Sequence, residues 1–233
     1  MAVSDGHGSK EYDRSDEGSR FACEVGVAAL QNLATRVRVG ERVDLTLFNK
    51  WIVAQWQTRT LLRDMEYNQR EDLDYTAEEV ILPTWRRYGA TLLLLLVMGE
   101  DLWAFQIGDG AIVLGLEHGS LMPFSSEVKY GSGTNSLCLD NARSLIKSRH
   151  IVVPDLRWAC AMTDGMSDSH PDDLEEVFGV TVPDYFEQQY ATNPNPWTSL
   201  VQWMGVQCHN HAWCDGDDTT IAFAFTTTTT NTP

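Results

Sequence analysis

Four short acidic turns punctuate this chain, and three of them follow an apolar run. They are Ser4-Asp5-Gly6-His7-Gly8-Ser9, Gly108-Asp109-Gly110, Thr163-Asp164-Gly165-Met166-Ser167-Asp168 and Gly216-Asp217-Asp218-Thr219-Thr220. Glycine beside a carboxylate lets the chain leave a strand sharply, so the pattern predicts strands that end in carboxylates. A carboxylate at such an end can lean over a sheet edge and hold a cation. Taken singly, each segment is more commonly an ordinary turn. Several such ends, far apart in sequence, point to one shared site.

The segments between the turns set the fold class. Ala2-Val3 reads as the end of a strand running into the first turn. Gly18 to Val37 has helical spacing in Phe21, Val25, Ala28, Ala29 and Leu33. Asp44 is placed to cap a second helix, with an apolar face of Leu45, Phe48, Trp51, Ile52 and Trp56 continuing towards Leu62 and Met65. Asn68 to Glu79 is a polar, acidic connection with room for a short helix capped by Thr76. The period changes at Gly89. Ala90–Met98, Leu102–Ile107 and Ala111–Leu116 are three short apolar runs split by Gly-containing turns, which predicts a β-meander. Lys129 to Ser136 reads as a loop, and Ile151–Val153 and Trp158–Met162 as strands. Helical pieces follow between Pro171 and Gln189, then a helix over Trp197–Val206 with Trp197, Leu200, Val201 and Met204 on one side. Ile221–Phe225 is the last strand, and Thr226–Pro233 a disordered low-complexity tail. Early helices, central strands and later helices before a final strand predict a layered α+β fold rather than a doubly wound one. Residues 1–225 are expected to form a single domain.

Composition removes several functions. The net charge is −16, so a polyanion such as nucleic acid is repelled rather than recruited. The apolar run Leu92–Met98 is far too short to span a bilayer, and the first residues carry no basic, apolar leader pattern. Five Cys without a framework suit reduced thiols. A cytoplasmic protein without a membrane or nucleic-acid partner is the expectation. The acidic turns offer several oxygen ligands and no soft-ligand set, which favours Mg²⁺ or Mn²⁺ over Zn²⁺. The Cys208–Cys214 run has no zinc-finger spacing and reads as a loop with incidental Cys and His. Asp215 to Asp218 lacks the alternating ligands of an EF-hand, and no G-x-S-x-G elbow occurs.

In order and wording, the turns resemble those of the metal-dependent PP2C-type (PPM) serine/threonine protein phosphatases, bacterial members in particular. The family's D-G-x-G matches Asp5-Gly6-His7-Gly8, and its G-T/S-T strand start is approximated by Gly89-Ala90-Thr91. Its G-D-S turn appears as Gly108-Asp109-Gly110, its D-G-x-x-D as Asp164 to Asp168, and its D-N/D-x-T ending as Asp217 to Thr220. Arg14-Ser15-Asp16 and Asn135-Ser136-Leu137 add to the likeness. The resemblance implies a four-layer α-β-β-α sandwich of two antiparallel sheets flanked by helices. It implies two Mg²⁺ or Mn²⁺ ions: Asp5 bridging both, the Gly6 carbonyl on one, and Asp164 and Asp217 on the second. Asp109 and Asp168 are candidates for a third ion or for supporting roles, and His7 matches a proposed general acid. The implied substrate is a phosphorylated protein, paired with a Ser/Thr kinase, and the implied nucleophile is a metal-activated water.

One departure stands out. The family has two further strands before the D-G-x-G turn, carrying an Arg that grips the substrate phosphate and an acidic residue near the metals. This sequence begins four residues before Asp5, so neither has a counterpart in it. The expectation is therefore an N-terminally truncated domain, with a degenerate domain that binds metal or phosphoprotein without turnover as the alternative. Arg14 is a candidate substitute phosphate ligand, weighed against an ordinary surface arginine.

Overall fold

The run Leu92–Leu95 organises the molecule because it is buried on both of its faces. In the computed structural model, residues 1–70, 84–125, 134–170, 172–210 and 218–225 are described. The strands are β1 (Ala2–Val3), β2 (Leu92–Met98), β3 (Asp101–Ile107), β4 (Ala111–Leu116), β5 (Ser120–Leu121), β6 (Lys147–Val152), β7 (Leu156–Met162) and β8 (Ile221–Phe225). They form two antiparallel sheets, ordered β1-β2-β3-β6 and β5-β4-β7-β8. Successive side chains of a strand point to opposite faces. Leu92 and Leu94 pack with Phe21, Leu33, Ile52 and Trp56 beneath the helices α1 (Ser15–Arg38) and α2 (Leu45–Arg70). Leu93 and Leu95 face the other way and meet Ile112, Leu114, Ala159 and Ala161 of the second sheet.

The second sheet repeats this arrangement. Val113, Trp158, Cys160 and Met162 point outward and are covered by Phe178, Val182, Phe186 and Leu200. These come from a helical run of α5 (Leu174–Glu176), a π-helical stretch (Val177–Thr181), α6 (Val182–Thr192) and α7 (Pro196–Asn210). Two short helices, α3 (Ala142–Leu145) and α4 (Asp164–Ser167), complete the set. Three apolar cores thus separate four layers: helices, sheet, sheet, helices. The expected α-β-β-α sandwich is the observed architecture.

The meander expectation needs correction. β2 and β3 do form a hairpin, with Gly99 at φ +63 in the two-residue turn and Met98 opposite Asp101. β4 leaves that sheet and pairs with β5 and β7 instead. Gly108, at φ +112, turns the chain out of the first sheet. A sheet change is invisible to periodicity when both faces of every strand are apolar.

The α2 face is also different from the one expected. Asp44 does cap the helix, its Oδ1 accepting from the N–H groups of Thr46 at 2.8 Å and Leu47 at 3.2 Å. Beyond Trp56, however, the inner stripe is carried by Thr60 and Asp64, while Trp51, Leu62 and Met65 are exposed. Asp64 is turned inward by its pairing with Arg14, and the Thr60 hydroxyl is satisfied by the Gln57 carbonyl of the same helix. On α7, Leu200 is buried but Trp197 is 49% and Val201 66% exposed. The α7 backbone continues through Asn210, so Cys208, His209 and Asn210 are helical rather than looped. The rest of the Cys–His run, the stretch 71–83, most of Lys129–Ser136 and the Thr-rich tail lie outside the described residues. Among the described residues, no helix is long and apolar enough to cross a membrane.

Candidate active site

Thr91 joins the first two acidic turns. After β1 pairs with β2, the ladder continues as an isolated bridge between Gly6 and Ala90. The Asp5 N–H donates to Thr91 Oγ1 at 2.9 Å, and the Thr91 N–H donates to the Asp5 carbonyl at 2.9 Å. Ser4 Oγ donates to the Thr91 carbonyl at 2.6 Å. On the other side, a Cβ at Gly108 would stand 2.6 Å from Thr91 Cβ, so the Gly108 turn closes directly on this side chain. Ser136 fixes the neighbouring residue, its hydroxyl donating to the Ala90 carbonyl and accepting from the Ala90 N–H, both at 3.1 Å. Thr134 Oγ1 donates to Asp109 Oδ2 at 2.5 Å.

His7 is held between these parts. Its N–H donates to the Gly89 carbonyl at 3.1 Å, and its ring meets Tyr12 edge to face, centroids 4.7 Å apart. Burial lowers the His7 pKa, because the charged imidazolium is the form that loses water. The negative charges of Asp109 and Glu11 act in the opposite direction. Asp109 therefore lies within electrostatic reach of the histidine, although 102 residues separate them in sequence.

The third and fourth turns meet at the end of β7. Thr163 is tied to the far segment by its backbone and its side chain: its N–H donates to the Thr220 carbonyl at 3.0 Å, and the Thr220 N–H donates to Thr163 Oγ1 at 3.0 Å. Thr163 Oγ1 donates in turn to the Asp218 carbonyl at 3.3 Å. Asp164 opens α4, its Oδ1 accepting from the Gly165 N–H at 3.1 Å. The Asp168 N–H donates to the Asp164 carbonyl at 2.7 Å, which places the two carboxylates one helical turn apart. The Gly108 and Asp164 turns touch as well, since a Cβ at Gly110 would overlap the Met162 carbonyl oxygen.

The turns bearing Asp5, Gly6, His7, Asp109, Asp164 and Asp168 are thus linked by contacts at one end of the two sheets. Asp217, the other expected ligand, lies outside the described residues. Among the described residues, no group of three His, Cys, Asp or Glu stands ready to hold a metal ion. The donor chemistry of the turns, carboxylates and a backbone carbonyl, fits a hard divalent cation.

Arg14 is placed differently from the sequence expectation. Its Nη1 donates to Asp64 Oδ1 at 2.5 Å and to the Tyr88 hydroxyl at 3.0 Å, and its guanidinium lies 4.0 Å from the Tyr67 ring centroid. The Arg14 and Asp64 side chains are only 13% and 3% exposed. This arginine anchors the start of α1 to α2. The sequence reading also missed Thr134, Ser136 and Thr163 as supports, although all three flank residues it had singled out. Asp64 gave one available signal, an acidic residue on the inner stripe of an apolar helix.

The sequence profile of the family described as Protein phosphatase 2C matches residues 1–204. The match stops short of β8, so Asp217 and Asp218 rest on the local motif alone. A crystal structure of a bacterial serine phosphatase aligns with a TM-score of 0.56 at 15% identity, over 97% of this chain and 84% of that one. The Mycobacterium tuberculosis serine/threonine phosphatase PstP/Ppp aligns at 0.52 with 14% identity, covering 96% and 86%. PppA of Pseudomonas aeruginosa, described as a key regulatory component of T6SS, aligns at 0.51 with 13% identity, covering 95% and 83%. No curated protein matches the chain. At such identities the structural likeness speaks for the fold, and the profile match over most of the chain speaks for descent. The chain belongs to the protein phosphatase 2C family.

Proposed function

We propose that this protein hydrolyses phosphoserine and phosphothreonine in phosphorylated proteins at a metal-dependent site, opposing a Ser/Thr kinase. The observation that carries the reading is the convergence of the Asp5, Asp109 and Asp164 turns in a chain of this family. Asp5, the Gly6 carbonyl, Asp164 and Asp217 would hold two Mg²⁺ or Mn²⁺ ions, with Asp109 and Asp168 available to a third or to support. When bound, such ions supply a water of lowered pKa and offset charge on the phosphoryl oxygens.

The other roles fall to the chain itself. His7 stands in the turn that carries Asp5, where a proton held on its ring would be available to the leaving serine or threonine oxygen. Burial lowers its pKa, which makes the imidazolium a stronger acid and reduces its population. Asp109 and Glu11 restore part of that population. Tyr12 packs on the ring and fixes its orientation. Thr91 holds the Asp5 backbone from both of its polar groups, which limits drift of the carboxylate.

The test is phosphate release from a phosphoserine peptide with and without Mg²⁺ or Mn²⁺. Hydrolysis should vanish with EDTA and fall by orders of magnitude in Asp164→Asn. Activity untouched by either change refutes the metal mechanism. A second reading, a domain that binds phosphoprotein without turnover, draws on the exposed Trp197, Val201 and Val206 of α7, an apolar face open to a partner. Phosphopeptide binding with no phosphate release in either metal would select that reading.

A further inference from the structure

We propose that two copies of this chain associate through the outer face of α2, with the two helices antiparallel; the inference stands apart from the phosphatase reading. α2 buries Phe48, Ile52, Val53 and Trp56 against the first sheet and turns its opposite side to solvent. On that open side stand Leu47, Trp51, Ala54, Thr58, Leu61 and Met65. Their positions advance in alternating steps of four and three, the spacing with which one helix presents a seam to another. Leu62 stands beside them. Leu47 is 62% and Leu62 56% exposed, and no charged residue interrupts the stripe. A surface helix ordinarily carries its charged groups on this side. Here the charges of α2 lie off the stripe, and most are engaged. Arg59 reaches Glu24 of α1 at 2.6 Å, Arg63 reaches Glu17 at 2.6 Å and Glu66 at 3.0 Å, and Asp64 holds Arg14. Docking two stripes therefore places no charge at the centre of the contact. The chain as a whole carries −16, but at physiological salt charges more than about 8 Å apart are largely screened.

A second copy fits this face because the face matches itself. Under a two-fold axis through the middle of the stripe, Leu47 lies opposite Met65 of the second copy, Trp51 opposite Leu61, and Ala54 opposite Thr58. Small residues thus meet at the centre, where the helix axes approach most closely, and large ones fill the space on either side. Antiparallel alignment also sets opposite ends of the two helix dipoles side by side. α1 widens the contact. The Glu24–Arg59 and Glu17–Arg63 pairs tie it alongside α2, and Val27, one turn beyond Glu24, is exposed. The stripe is about 27 Å long and two packed helices are about 20 Å across, so each copy contributes roughly 500 Å², or about 1,000 Å² in total. That is the low end for a specific interface, and it predicts a dimer of micromolar affinity.

The experiment is sedimentation velocity on the full chain, from about 1 to about 200 μM, a range that brackets such an affinity. The wild type should pass from monomer to dimer, and more readily in about 0.5 M than in about 0.05 M NaCl, because salt screens the repulsion between copies. Trp51→Lys and Leu61→Glu should each weaken the dimer by more than about tenfold. Mixing these two variants should restore it, since the antiparallel register sets the introduced lysine against the introduced glutamate. Val201→Glu, on the exposed face of α7, should behave as the wild type. Trp51 and Leu61 are both exposed, and circular dichroism checks that each variant folds. A wild-type chain that is monomeric throughout overturns the inference. So does a dimer that Val201→Glu disperses and Trp51→Lys does not, or one that the mixture fails to restore. None of these outcomes depends on phosphate release.

Discussion

Gly18→Ala is the substitution for which the geometry gives the clearest sign. Gly18 lies in the first turns of α1 and faces the backbone of Tyr88. A Cβ there would overlap the Tyr88 carbonyl oxygen and stand 2.7 Å from its carbonyl carbon and 3.0 Å from its Cα. The obstacle is backbone, so no rotamer change relieves it. The Gly18 carbonyl also accepts from Trp56 Nε1 at 2.9 Å, and Trp56 is fully buried, so α1 cannot slide away freely. Overpacking of this kind costs about 1–3 kcal/mol, while alanine in a helix returns about 1 kcal/mol. With a backbone contact this short the clash dominates, and a net loss of about 2 kcal/mol is expected. For a chain of this size that lowers Tm by roughly 4–8 °C. The matched control is Gly205→Ala on α7, where a Cβ would meet nothing within 4 Å. There only the propensity gain acts, and Tm should rise by about 2–3 °C. Differential scanning calorimetry on both variants decides the matter. A Gly18→Ala protein as stable as the wild type, or more so, refutes the close packing of α1 on the Tyr88 turn.

Three further experiments probe other contacts. Asp64→Ala leaves the Arg14 guanidinium without its buried partner and should cost about 3–5 kcal/mol in urea unfolding, with Asp64→Asn losing less. Thr91→Val keeps the shape but removes the acceptor of the Asp5 N–H; a loss of about 1–3 kcal/mol is expected, together with reduced phosphatase turnover, and unchanged turnover would show that Asp5 needs no such support. The Cys160 thiol is pushed up to about 12 by full burial, so it stays neutral as pH rises through 8 and becomes a thiolate only near pH 12. Iodoacetamide at pH 8 should therefore spare Cys160 until the chain unfolds, as read by peptide mass mapping; rapid labelling of the folded protein would contradict its buried position.

Much of the site was legible in the sequence because its chemistry is local. Asp5-Gly6-His7-Gly8 and Asp164-Gly165 each announce a carboxylate in a tight turn, and the structure puts each after a strand. The Asp44 cap and the final strand Ile221–Phe225 were legible for the same reason: short-range patterns with a direct backbone consequence. Arg14 was not. Nothing beside it in sequence announces Asp64, 50 residues away, or Tyr88, 74 residues away. Once buried, an arginine needs such partners, and only the folded chain supplies them. The exposed Trp51, Leu62 and Met65 were misread because helical spacing marks several possible apolar faces, and long-range contacts such as Asp64 with Arg14 choose among them.

The sequence by itself determined the strand and helix content, the acidic turns and the family. Hydrophobic period and turn chemistry act over a few residues, so they survive without a third dimension. The tertiary structure decided which sheet each strand joins. β3 and β4 are separated only by Gly108-Asp109-Gly110, yet they lie in different sheets. It also decided that Thr91 ties the Asp5 turn to the Gly108 turn, and that Arg14 is engaged with Asp64 and Tyr88. Those outcomes depend on contacts between distant segments. A chain of side chains buried on both faces carries no local mark of which neighbour it will meet.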